Sequence, residues 1–262
     1  VRWVDDGVAS DVQHVDPSTS RSRFRFRGSE DIGNGMTAGI YVESGLASNV
    51  SSKVPLKGGD GFDTAFDIRH SALFFAGGWG ALWAGHTFTA TDGAFVSSFA
   101  ATGVADTITA PSVLLGAVAL RTSAGGTAAT PGGAAITGAS SFGSYDGART
   151  DTLRYDSPKL GPATIKVSVE NNEQWGVGVY LDGALGGGKY QLKGGYNDRE
   201  NNSGFDQWAV SGAYLFSQGT NVAFAYGERD FCELFVTCGT SHFNPAGYRY
   251  LAEAVHAVLA ET

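Results

Sequence analysis

Cysteine, charge and long apolar runs are what this 262-residue chain has least of. Its two cysteines, Cys232 and Cys238, lack the second ligand pair that a structural zinc site needs. Their spacing leaves a small hairpin disulfide or two unused thiols, and no metal or cofactor is expected. Asp, Glu, Lys and Arg make up 17% of the residues, against roughly 25% in an average globular protein. The net charge of −8 and pI near 5.0 argue against generic nucleic-acid binding. No stretch approaches the roughly 18 to 20 apolar residues of a transmembrane helix. The opening VRWVDDG has neither the basic nor the apolar region of a secretory signal, so any such signal is expected to be removed or missing.

Glycine and aromatic residues are plentiful, at 38 glycines and 12% Phe, Trp and Tyr. The mean hydropathy of −0.08 suits a soluble protein. It also suits a membrane barrel, whose strands alternate apolar and polar residues so that the average cancels. Period-two alternation does recur along the chain. In RSRFRFRG, Arg21, Arg23, Arg25 and Arg27 alternate with Phe24 and Phe26. Residues 29–35 read as a turn, followed by Met36, Ala38, Ile40 and Val42 on one face with Thr37, Tyr41 and Glu43 on the other. Segments 68–76 and 81–91 flank a turn at 77–80, and later runs place Lys166 and Lys193 opposite apolar partners. About ten strands of bilayer-spanning size are expected.

A soluble β-sandwich also alternates, and would make the arginines an anion-binding exposed face. The placement of aromatics favours the membrane reading. Trp175, Tyr190, Tyr196, Trp208, Tyr214 and Tyr226 fall near strand ends on the apolar face, where an interfacial girdle belongs. Residues 92–148 differ in kind, being dominated by Gly, Ala, Ser and Thr. A span that long without structure is unusual in a compact domain. It reads either as a flexible insertion or as a loop folded inward to narrow a pore.

Three segments in order resemble the Gram-negative general porins: the opening with its S-R-F-R-F-R-G strand, SALFFAGGWGALWAGH, and RTDTLRYDSPKLGPATIKVSVEN. The resemblance covers about residues 1–230. It implies an all-β, antiparallel up-and-down transmembrane β-barrel in the bacterial outer membrane, sixteen-stranded and often trimeric, for passive diffusion of small hydrophilic solutes and ions. It also implies that the loop within 92–148 enters the lumen. Four guanidiniums on one strand face would each cost about 2 to 4 kcal/mol at the bilayer midplane, so they are expected to face water. The pore-lining set expected on this basis is Arg21, Arg23, Arg25, Arg27, Glu43, Asp106, Lys166 and Lys193. Asp106 would be the loop's acidic partner and Glu43 would screen the arginines.

Residues 231–262 depart from that pattern. Asn244 and Pro245 open an amphipathic helix expected over 244–261. Residues 241–260 resemble the closing segment of SGNH (GDSL-type) hydrolases, with His242 in the place of the base. However, Gly239 stands where that family has aspartate, and no Gly-Asp-Ser motif precedes it. A base without nucleophile or orienting acid is no triad, so the chain is read as a channel and not an enzyme. An ester hydrolase using His242 stays as the alternative. About ten strands and a helix are too few for sixteen, which leaves a smaller barrel or an incomplete one.

Overall fold

The computed structural model describes residues 1–16, 22–46, 49–56, 66–99, 116–129, 133–138, 145–199 and 205–231. Arg21, Asp106, Cys232, Cys238, His242 and the helix expected over 244–261 lie outside these residues.

Ten strands form one antiparallel sheet in chain order: β3 (Ser22–Gly33), β4 (Met36–Leu46), β5 (Asp67–Gly77), β6 (Gly80–Phe88), β7 (Arg149–Asp156), β8 (Ala163–Glu170), β9 (Trp175–Leu185), β10 (Gly188–Arg199), β11 (Phe205–Leu215) and β12 (Asn221–Phe231). Each strand pairs with its sequence neighbours, the up-and-down order expected. Among the described residues the ring is open, with β3 and β12 as its two edges. The strands run longer than alternation alone suggested. Residues 29–33 continue β3, and the reversal takes only Asn34 and Gly35, at φ 54° and 70°. Two successive positive φ values define the tight hairpin turn whose twist matches the flanking strands, and Asn-Gly adopts it at least cost.

The two faces differ as a membrane wall's would. Straight across eight strands, from β4 to β11, runs the row Ala38, Phe75, Leu82, Tyr155, Val167, Val177, Tyr196 and Trp208. Phe26, Ile40, Leu73, Leu153, Leu192 and Phe224 are exposed on the same side. No second sheet among the described residues covers this face, as a β-sandwich would require. Aromatic pairs sit at both margins. Trp79 stacks on Tyr155 at the short-turn end, while Trp175 meets Tyr196 and Trp208 meets Tyr226 at the other. Along β10 and β11, Tyr190 and Tyr196, and likewise Tyr214 and Trp208, are six residues apart. That is about 20 Å along a strand.

The opening residues do not join this sheet. β1 (Arg2–Asp5) and β2 (Ser10–Gln13) form their own hairpin. Its buried Arg2 donates to Gln13 Oε1 and to the Ser51 and Val54 carbonyls, each at 2.9 Å. Val4, Leu56 and Val118 make the small core beneath it. Part of the long 92–148 span belongs here too. Bridges Ala119–Thr137, Arg121–Thr127 and Ala129–Ala135 shape a short ladder, and Arg121 pairs with Asp6 at 2.8 Å. The span is therefore not structureless throughout.

Candidate functional site

The polar face of the sheet has two halves. On β3–β7 the register sets Arg25 opposite Glu43 and Glu43 opposite His70. Glu43 is 1% exposed and is held by three guanidiniums, Arg69 at 2.7 Å, Arg25 at 2.8 Å and Arg23 at 3.3 Å. Tyr41 donates its hydroxyl to the same carboxylate at 2.8 Å. One negative charge thus organises three positive ones.

Arg69 was not among the expected residues, because strict alternation places it with Leu73 and Phe75 on the apolar face. The register shifts between Glu43 and Ser44, which pair with His70 and Ile68, so Arg69 is an extra residue in β5. Such a bulge re-aims a side chain. Here Arg69 and His70 are both buried on the polar face, whereas Ile68 is exposed. An arginine and a histidine in succession just ahead of the apolar run Ala72–Ala76 were the available signal.

The remaining cations lie on aromatic rings. Arg27 lies over Phe74 at 5.2 Å, Arg154 over Trp83 at 5.3 Å and Arg149 over Phe88 at 4.9 Å. Arg154 also grips Asp156 through two nitrogens, at 2.8 and 3.0 Å. Each ring contact contributes roughly 0.5 to 1 kcal/mol where solvent reaches it, and together they lay the guanidiniums along the wall.

The other half, β8–β12, carries the described start of the long span, residues 89–99. Ser168 Oγ accepts from the Ala90 amide at 2.9 Å, and Tyr180 shares its hydroxyl proton between the Ala90 and Asp92 carbonyls. Thr91 donates to Asn197 Oδ1 at 2.7 Å. Lys193 donates to the Val96 carbonyl and Ser211 to that of Ala94, at 2.7 and 2.8 Å. The returning leg is fixed by Gln207, which donates to the Tyr145 carbonyl at 3.1 Å, and by Arg229, whose guanidinium lies between Tyr145 and Phe205. Lys166 lies over the Tyr180 ring at 4.2 Å.

Of the expected set, Arg23, Arg25 and Glu43 are therefore brought together and Arg27 lies alongside. Lys166 and Lys193 sit in the other half, against the loop. The acidic residues that the described part of the loop brings to the wall are Asp92 and Asp146, whereas Asp106, the acidic partner expected, lies outside the described residues. Burial, reinforced by the neighbouring Asp146 carboxyl, pushes the Asp92 carboxyl up to about 7. Burial raises Asp146 as well, against the hydrogen bond it accepts from the Phe95 amide.

A pH dependence follows from Asp92. Its seated form holds a proton that a released loop would surrender near the ordinary 3.8, so attachment is tightest below about pH 4 and weakens towards pH 7. Lys166, Arg149 and Arg154 oppose this by attracting the ionised form. Amide hydrogen exchange over 89–97, corrected for its intrinsic pH dependence, should be faster at pH 8 than at pH 5, and Asp92→Asn should reduce the difference to the part that Asp146 contributes. Equal protection at both pH values would contradict it.

An open antiparallel sheet with one apolar, aromatic-rimmed face and one face of arginines and acids is the wall of a β-barrel membrane protein in composition and order. The family model of the Gram-negative porins matches residues 1–231, and the chain belongs to that family. A solved structure, the anion-selective porin from Comamonas acidovorans, aligns at 16% identity with a TM-score of 0.32, over 78% of this chain and 61% of that one. The chain thus spans about three fifths of that porin's length. No curated protein gives a significant match.

Proposed function

We propose that the chain forms the wall of an outer-membrane channel for passive diffusion of small hydrophilic solutes and ions, with anions favoured. The observation that carries this is the Glu43 cluster, in which three guanidiniums share one carboxylate on the polar face. Arginine is costly against hydrocarbon, whereas a wet lumen accommodates it and gains a positive field that draws anions. Arg23, Arg25, Arg27, Lys166 and Lys193 line that lumen, and the buried Glu43 and Arg69 anchor Arg23 and Arg25 on its wall. The loop at 89–99 narrows it from the opposite half.

Lipid does not tolerate unpaired strand edges, so function requires that β3 and β12 be joined, to each other or through further strands. The homotrimer expected of complete porins belongs to this reading. Its test is reconstitution of the detergent-folded chain into planar bilayers. Discrete conductance steps and heat-modifiable gel migration are expected. A folded chain that stays monodisperse without detergent and gives no steps would overturn it.

A further inference from the structure

Seating the loop requires space, and the register shows where it comes from. Gly178, Gly195, Ala209 and Gly227 are direct cross-strand partners in one row over β9–β12. Glycine inside a strand weakens it and marks a close approach of another group, so two glycines paired across β9 and β10 need a cause. A Cβ on Gly195 would meet Thr91 Cγ2 at 2.8 Å and Ala94 Cβ at 3.0 Å, and one on Gly178 would meet the Ala90 carbonyl oxygen. On Gly227 it would meet the Tyr145 ring at 2.9 Å. Both legs of the loop therefore lie in a trough one side chain deep.

Polar rows flank the trough on either side. One contains Ser168, Asn197 and Gln207, and the other Tyr180, Lys193 and Ser211. All six make the hydrogen bonds to the loop described above. Small residues in the middle and hydrogen-bonding side chains along both margins hold backbone flush against the wall.

We propose that Gly178, Gly195 and Gly227 set the bore of the channel, by fixing how far the loop stands off the wall. This rests on the channel reading. A side chain at position 195 lifts Thr91 and Ala94 towards the lumen, and pore diameter governs passage.

The test compares the full-length chain with Gly195→Val and with Gly194→Val, on the same strand but the opposite face, where a Cβ makes only an ordinary contact at 3.6 Å with the Ala209 carbonyl. Gly195→Val should lower single-channel conductance, roughly twofold for a pore whose width is set by its lining. It should also open the bond after Phe95, 3% exposed in the seated loop, to chymotrypsin. Gly194→Val should match the unaltered chain in both. If Gly195→Val fails to fold, Gly195→Ala adds only the clashing methyl, without the strand weakness of glycine, and should shift both readouts in the same direction by less. A conducting chain in which the position-195 variants change neither conductance nor cleavage overturns the seat alone. A folded, unaltered chain that does not conduct overturns the channel reading, and the bore assignment with it. Cleavage after Phe95 still reports separately whether the seat holds the loop.

Discussion

Replacing Arg23, Arg25 and Arg69 together by serine should cut the anion-to-cation permeability ratio by roughly thirtyfold. A unit charge about 6 Å from an ion's path is worth about 0.7 kcal/mol in water, and about half that at physiological ionic strength. Three such charges amount to about 1 kcal/mol for a monovalent anion, with the opposite sign for a cation. The substitution takes the cluster from a net charge of +2 to −1, because Glu43 remains on the wall with Tyr41 as its only other side-chain donor among the cluster's described contacts. Reversal potentials across a salt gradient read the ratio directly. An unchanged reversal potential, with conductance intact, would place the ion path elsewhere.

Glu43→Gln should act on stability. The carboxylate is buried, and so is Arg69, at 1% and 6% side-chain exposure, and removing one partner of a buried pair typically costs about 3 to 5 kcal/mol. Arg25 is 56% exposed, so solvent screens its share and that pair adds little. The loss therefore traces mainly to Arg69 left without its counter-charge. Urea unfolding of the detergent-folded chain, followed by gel migration, should show a lower midpoint for Glu43→Gln. Adding Arg69→Met, which fills similar space without charge, should recover much of it. No recovery in the double variant would mean that packing, and not charge, is what Glu43 supplies.

The faces of the strands were legible in the sequence, because side-chain direction alternates with period two irrespective of fold. Phe24 and Phe26 stand opposite the arginines for that reason, and the aromatic margins were equally readable. Arg69 escaped because one inserted residue inverts the parity of everything before it, and period-two reading assumes no insertions. The trough escaped for a different cause. Gly178, Gly195 and Gly227 are 17 and 32 residues apart, and only the register between strands makes them neighbours. The N-terminal hairpin was hidden because its two strands are only four residues long, too short for alternation to announce them. Its one diagnostic residue, Arg2, shows its worth only through the carbonyls of Ser51 and Val54.

The loop seat bears on how the sheet assembles. Most strand pairs are joined by short turns, only two residues long at Asn34–Gly35 and Gly186–Gly187, whereas residues 89–148 separate β6 from β7. Closing that sixty-residue interval costs about 3 kcal/mol more chain entropy than closing a two-residue one. The strands thus fall into two blocks, β3–β6 and β7–β12, each built from local contacts that form quickly, apart from the twenty residues between β4 and β5. Every described partner of residues 90–97 on the wall belongs to the second block. Once Ala90 has bonded Ser168 and Tyr180, the end of β6 at Phe88 is two residues from its anchor, beside the strand next to β7. The segment proposed to narrow the channel is thereby also placed to bring the two blocks into register.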